Sequence, residues 1–209
     1  MAVSSHSIVI GLTGGSGSGK THIVREIEKK FSEGDLCVVA MDNYYRPRNE
    51  QPLDDSGTIN FDTLEALDYG KLVRDLKDLL AGKTLRQEIY TFNNPGNKKL
   101  WLELKPAKII LIEGLYALCH SELREMTELI VFVEARKDQM LRRRIRRDNL
   151  ERGYDLEDVV YRFERHVMPA YYQYVLPLRE QAHLIIDNSK GPLDQVDRLY
   201  HWIRQKLEQ

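Results

Sequence analysis

The sequence predicts an α/β domain: a doubly wound parallel sheet with an inserted β-hairpin. Three observations carry that expectation. Five short apolar, β-branched runs recur along the chain, at residues 7–13 (SIVIGLT), 36–42 (LCVVAMD), 108–114 (KIILIEG), 129–135 (LIVFVEA) and 183–188 (HLIIDN). Each ends in polar or glycine residues, as strands covered on both faces do. Helix-period segments alternate with them, which is the pattern of a parallel sheet flanked by helices.

The elements follow in order. Residues 20–31 place Ile23, Val24, Ile27 and Phe31 on one helical face. Residues 63–81 carry Leu64, Leu67, Leu72, Leu76, Leu79 and Leu80, and Gly82 supplies a stop. Residues 85–105 break the alternation and read as two strands around an Asn/Pro/Gly turn. That hairpin is not needed to complete the sheet; its Tyr90, Phe92 and Trp101 suit either a surface excursion or a wall over a pocket. Helical patterns also fit 136–151, 155–175 and 192–207. In the first of these Leu141 and Ile145 share the expected core face, with Arg136, Arg143 and Arg147 roughly opposite. No repeat, low-complexity tract or linker interrupts the chain, so residues 1–209 read as one domain with a lid region at about 136–155.

Composition limits the function classes. Hydrophobic residues make up 42% and charged residues 30% of 209, with a formal net charge of −1. That is ordinary for a soluble globular chain and gives no global basic field for nucleic acid or an anionic membrane. Cys37 and Cys119 sit in or beside apolar runs and read as reduced, buried thiols. No zinc-ligand spacing, secretory signal pattern or bilayer-length apolar run is present. The expectation is a cytoplasmic enzyme, with no nucleic-acid or membrane partner.

The chemistry is concentrated at predicted strand ends. Gly14-x4-Gly19-Lys20-Thr21 lies between a strand and a helix and matches a phosphate-binding loop. Gly14, Gly15, Ser16, Gly17, Ser18 and Gly19 let backbone N–H groups turn inward around phosphate oxygens. Lys20 can reach the β/γ phosphates and the Thr21 hydroxyl can ligate Mg²⁺. Asp42 follows the second strand, where a carboxylate can take a proton from an acceptor hydroxyl; otherwise it is a turn former beside Tyr44 and Tyr45 at the core edge. Glu113 ends the next core strand in the place of a metal-holding acid, or else caps a loop. Asp62 precedes a helix, and Asp62-x-x-Glu65 is equally a capping box. Residues 136–152 carry seven arginines, at 136, 142, 143, 144, 146, 147 and 152. Some can close over a polyphosphate while others form a solvated face.

These elements, in this order, resemble the uridine kinase family of P-loop nucleoside kinases. The residues that carry the likeness are GGSGSGKT, MDNYYRP, NFDTLEALD, the hairpin IYTF, IEGLYAL, RRRIRRDNLERGYDLE and VMPAYYQYVLP, spanning about Ile8 to Asp187. The resemblance implies ATP- and Mg²⁺-dependent phosphoryl transfer to the 5′-hydroxyl of uridine or cytidine. It implies that Asp42 is the catalytic base and that Glu113 helps hold the metal. Asp62 would bind ribose hydroxyls and Tyr90 the base, with Tyr45 beside them. Arg143, Arg147 and Arg152 would belong to the lid over the phosphates. A homo-oligomer, commonly a tetramer, is also implied.

The chain departs from that family on the acceptor side. Thr91 stands where an aspartate is usual, Pro95 where a histidine is, Met140 where an arginine is and Arg162 where a glutamine is. Proline has neither a side-chain donor nor a backbone N–H. Asn93 or Asn94 can supply the missing hydrogen bonds to the pyrimidine, since an amide both donates and accepts. Two other readings stand beside the nucleoside kinase: a kinase of another small alcohol, such as a sugar or pantothenate-like compound, and a nucleotide switch. The absence of an Asn-Lys-x-Asp guanine-reading motif weighs against the switch.

Overall fold

The computed structural model describes residues 7–92, 99–189, 191 and 193–208. Five strands form one parallel sheet: β1 (Ile8–Gly14), β2 (Leu36–Ala40), β5 (Ile109–Glu113), β6 (Leu129–Glu134) and β7 (Leu184–Asp187). Their order is β2-β5-β1-β6-β7. The chain therefore reverses direction across the sheet at β1, and a crevice opens there at the carboxyl ends of the strands. Register sets those ends level, with Leu12 and Ala40 both opposite Glu113.

Strand alternation divides the core into two layers. Val9, Val39, Ile110, Ile112 and Phe132 face one side, against Leu72, Leu76 and Leu79 of α2 (Tyr69–Leu80) and against Ala170, Val175 and Leu178. Ile10, Leu12, Leu111, Val131 and Ile186 face the other, against Ile23, Val24 and Ile27 of α1 (Lys20–Glu28) and Val196, Leu199 and Ile203 of α7 (Leu193–Leu207). Burial on both faces explains why these strands read as continuous apolar runs. α3 (Ser121–Glu125) leads into β6.

Several expectations about helices need correction. The helix expected from 63 begins at Tyr69, because residues 64–66 make a single 3₁₀ turn and residues 66–68 pair with residues 44–46. Arg46 N–H donates to the Ala66 carbonyl and Asp68 N–H to the Tyr44 carbonyl, both at 2.9 Å. The cap is Asp68, whose carboxylate accepts from Lys71 N–H at 2.8 Å, and not Asp62. Leu80, the last residue of α2, lies off the buried stripe and is 38% exposed. In α4 (Lys137–Arg152) the buried face is Met140, Arg144 and Asp148, because this helix packs on the phosphate-binding loop; Leu141 and Ile145 are half-buried.

The helix expected over 155–175 is not continuous. It runs as α5 (Leu156–Arg162), a π-turn at Phe163–Val167, α6 (Met168–Ala170), a second π-turn at Tyr171–Val175 and a 3₁₀ stretch at Leu176–Gln181. Pro169 and Pro177 each remove an N–H from the ladder and crowd the preceding turn, and the wider π spacing absorbs them.

The hairpin forms, with β3 (Leu85–Glu88) antiparallel to β4 (Trp101–Leu104) in its own two-stranded sheet. Its arms are shorter than expected. Ile89 N–H still reaches the Leu100 carbonyl at 2.9 Å, but the next amide, Tyr90 N–H, turns to the Asn43 side chain at 3.0 Å. The turn at 93–98, with Asn93, Asn94 and Pro95, lies outside the described residues.

Candidate active site

A cleft of about 630 Å³ lies over the strand ends. Its floor is the loop between β1 and α1. Gly17 and Gly19 have φ of +79° and +102°, a region L side chains rarely adopt. A Cβ at Gly17 would run into the Met140 carbonyl, and one at Gly19 into the Asn188 amide. Glycine is required at both, and the loop is held from outside by α4 and by the turn after β7.

Those holding contacts are polar. The Arg143 guanidinium donates to the Ser18 carbonyl at 3.1 Å, the Gly17 carbonyl at 3.4 Å and the Asn188 carbonyl at 2.9 Å. Asn188 Nδ2 donates to the same Ser18 carbonyl at 2.8 Å. Arg144 donates to the Ser16 hydroxyl at 2.9 Å. Arg143 thus acts here as a clamp on the loop's carbonyls. Arg144 and Asn188 are site-supporting residues that sequence reasoning missed; their only signal was position near other polar residues.

Lys20 lies inside the loop it closes. Its Nζ donates to the Gly14 carbonyl at 2.9 Å and the Gly15 carbonyl at 3.0 Å. Burial lowers its pKa to about 8, against the opposing pull of Glu113 and Asp42. Glu113, at the end of the neighbouring strand, is pushed up to about 7 by burial and then by the Asp42 charge. Asp42 sits in the short 3₁₀ turn Met41–Tyr44 that ends β2, and its side chain is half exposed toward the cleft. Asp42 and Glu113 therefore stand at the ends of the adjacent strands β2 and β5, and Lys20, the first residue of α1, brings its Nζ to the end of β1.

A second group of charges centres on Asp148, buried on α4. Arg144 pairs with it at 3.1 Å, Arg147 at 2.8 Å and Arg152 at 3.3 Å. Burial alone would raise its pKa, but Arg147 and Arg144 hold the carboxyl below its usual range. Burial works against the Arg147 charge too, and Asp148 more than offsets it. Arg147 lines the cleft near Lys20, whereas Arg152 lies 3.9 Å from Asp42 and over the Phe92 ring at 3.8 Å. Of the arginines expected together in a lid, Arg143 therefore faces the loop, Arg147 the donor end, and Arg152 the aromatic end. Asp148 itself was invisible as a site residue, being one acid within a basic run.

The aromatic end is built by four rings from three segments. Phe92 meets Tyr90 at 4.9 Å, Tyr45 at 5.3 Å and Phe61 at 5.7 Å between centroids. Tyr45 is kept far above its usual pKa by burial and the nearby Asp42. Asp62 is buried beside them, 3.4 Å from the Tyr116 hydroxyl. The hairpin is aimed by Asn43, which accepts from Tyr90 N–H and donates to Gln87 Oε1 at 3.1 Å. Trp101 does not join this wall; it is 47% exposed, with the Arg86 guanidinium over its ring.

The residues fit a metal–nucleotide pair. The Ser18 hydroxyl is buried within the loop with no partner among the described residues, as a phosphate oxygen would satisfy. Among the described residues no group of three or more His, Cys, Asp or Glu could hold a cation by itself. Mg²⁺, which is commonly held by one or two carboxylates plus phosphate oxygens, suits Glu113 and Thr21 better than a metal needing a protein cage.

Known proteins resemble this chain in sequence and in fold. The profile of the phosphoribulokinase / uridine kinase family matches residues 9–193. Over 206 residues the chain is 32% identical to uridine-cytidine kinase B of Dictyostelium discoideum, covering 99% of this chain and 85% of that one. Over 202 residues it is 33% identical to the uridine kinase of Clostridium novyi (strain NT), covering 97% of each. A solved structure titled a possible uridine kinase, from Bacillus stearothermophilus, superimposes with a TM-score of 0.62 over 86% of this chain and 88% of that one. At 18% identity that likeness is one of fold.

Proposed function

Since the chain belongs to the phosphoribulokinase / uridine kinase family, we propose that it transfers the γ-phosphoryl group of ATP to the 5′-hydroxyl of uridine or cytidine. The observation that carries this reading is that Asp42 and Glu113 follow adjacent strands and Lys20 Nζ reaches the end of β1 beside them, between a phosphate-binding loop and an aromatic pocket holding Asp62. In this reading Asp42 accepts the proton of the 5′-hydroxyl as it attacks, and its half-exposed position leaves room for that hydroxyl. Gly14, Gly15, Ser16, Gly17, Ser18, Gly19 and Lys20 bind the phosphates, with Arg147 meeting charge at the transferred group. Thr21 and Glu113 would hold Mg²⁺, which when bound would neutralise charge on the phosphates. Tyr45, Phe61, Tyr90 and Phe92 enclose the pyrimidine, and Asp62 accepts from ribose hydroxyls. Arg152 fits the acceptor side, next to Asp42 and Phe92, better than the nucleotide side. Asn94, the residue expected to replace the family's histidine, lies outside the described residues and stays an expectation.

The reading extends to a homo-oligomer, with a tetramer the expected form by light scattering, and to a cytoplasmic location. No described helix is long and apolar enough to cross a membrane. The central test is product identification by mass spectrometry with ATP, Mg²⁺ and a panel of nucleosides and small alcohols. Uridine and cytidine are expected to give their 5′-monophosphates. Efficient turnover of a non-nucleoside alcohol, with none of uridine or cytidine at millimolar concentration, would overturn the assignment.

A further inference from the structure

The segment that delivers Phe61 and Asp62 to the cleft has little apolar anchorage. None of residues 52–60 is buried, and Leu53 is 63% exposed. Hydrophobic packing within residues 52–60 therefore does little to fix where this excursion ends, and one carboxylate supplies much of its polar anchorage. Asp54 Oδ1 accepts from Ser56 N–H at 2.9 Å, the Ser56 hydroxyl at 2.7 Å and Thr58 N–H at 2.8 Å, and so folds the turn. Asp54 Oδ2 faces the other way and accepts from the Tyr161 hydroxyl at 2.9 Å, with His166 Nε2 at 2.8 Å. The same group thus shapes the excursion and docks it on α5 and the first π-turn.

His166 is suited to that single purpose. Its ring is buried, and its Nδ1 has no partner among the described residues, so Asp54 is its one hydrogen-bond partner among them. Nε2 carries the proton in this arrangement and donates. Arg162 adds a bond further along, from its guanidinium to the Ile59 carbonyl at 2.6 Å, while Asp158 holds it at 2.9 Å. From Ile59 the chain has only one residue to span before Phe61.

We propose that Asp54 and His166, which do not line the cleft, are positioning residues for acceptor binding, forming a clasp that fixes where Phe61 and Asp62 stand. This rests on the kinase reading above and assigns a determinant of acceptor affinity remote from the reacting atoms. Losing the clasp leaves the nucleotide side intact, because the phosphate-binding loop is held by Arg143, Arg144 and Asn188 instead. It also leaves buried polar atoms unpaired unless the excursion moves.

The test is steady-state kinetics with uridine and ATP varied separately, on His166→Phe, Asp54→Asn, their double variant, Tyr161→Phe and His166→Gln. KM for uridine is expected to rise about tenfold in His166→Phe and in Asp54→Asn, a loss of the size of one buried hydrogen bond. The double variant should be no worse than the poorer single one, KM for ATP should not move, and His166→Gln, which keeps a donor, should recover part of the loss. Unchanged uridine KM in the folded variants, or an equal rise in KM for ATP, would overturn the clasp while leaving the kinase assignment standing. Tyr161→Phe removes only a hydroxyl and keeps the question open to measurement should the His166 variants fail to fold. Hydrogen exchange reads the clasp without any substrate: amides of residues 56–62 should exchange about tenfold faster in His166→Phe or Tyr161→Phe. If wild-type protein phosphorylates no nucleoside, the functional reading falls, and unchanged exchange at those amides would then remove the clasp as well.

Discussion

Arg144 reaches the Ser16 hydroxyl at 2.9 Å from a residue 128 positions away, tying α4 to the phosphate-binding loop. The guanidinium is buried, and Asp148 is its counter-ion on the next turn of the helix. Breaking a buried pair by removing one partner commonly costs about 3–5 kcal/mol. Asp148→Ala should be the more damaging change, because it leaves Arg144, Arg147 and Arg152 facing one another. Chemical denaturation of Asp148→Ala and Arg144→Ala should show that order; equal stability to wild type in both would mean the cluster is solvated.

Lys20→Ala is expected to abolish transfer and leave the fold unchanged, since Nζ meets backbone carbonyls of the loop and not core atoms. Asp42→Asn should lower kcat by about 10²–10⁴, the usual contribution of a placed general base. Near-normal turnover in either folded variant would remove that residue from the mechanism.

The hairpin offers an internal control. Phe92 contacts three other rings and Arg152, whereas Trp101 faces solvent on the opposite arm. Phe92→Ala should raise KM for uridine by about tenfold, in line with the 1–1.5 kcal/mol of ring packing and cation contact. Trp101→Ala should leave it unchanged. A larger effect at Trp101 than at Phe92 would place the acceptor on the outer side of the hairpin.

The two free cysteines predict an alkaline weakness. Burial pushes the Cys37 thiol up to about 11 and the Cys119 thiol up to about 12 from an ordinary 9.0. In the unfolded chain these thiols ionise near pH 9 while the folded protein keeps them protonated. The folded state therefore holds more protons in that range, and stability falls as pH rises above about 9. Iodoacetamide should label both slowly at pH 8 and quickly in denaturant. Fast native labelling would mean that the thiols are not held neutral.

The sheet and the donor side were legible because each rests on a local pattern. Apolar runs, the glycine spacing and acids at strand ends are all written within a few residues. Long-range polar contacts are not. Asp148 reads as an acid in a basic stretch until the helix turns it inward beside Arg144, and Asn43 carries no local signal until the hairpin arrives. Leu141 and Ile145 misled for a related reason: the helix rests on a loop of polar and glycine residues, so helical periodicity no longer marks its buried face. Asp62 was ambiguous between capping and binding, and only the chain's pairing beside Tyr44 and Arg46 moves the helix start to Asp68.

The two π-turns make the length of one helix as informative as its composition. Each turn takes up one residue more than an α-turn, and one residue corresponds to about 100° of rotation about the helix axis. Tyr171 follows the first of them and packs against the loop, with its ring and the Met140 side chain next to Gly15. Deleting a single residue from 163–167 would keep almost every apolar side chain in the segment. It would swing Tyr171 away from Gly15 and present a different neighbour to the loop. A one-residue deletion scan across this stretch should therefore weaken nucleotide binding as well as the acceptor clasp at His166, whereas loss of the clasp alone should spare the nucleotide side.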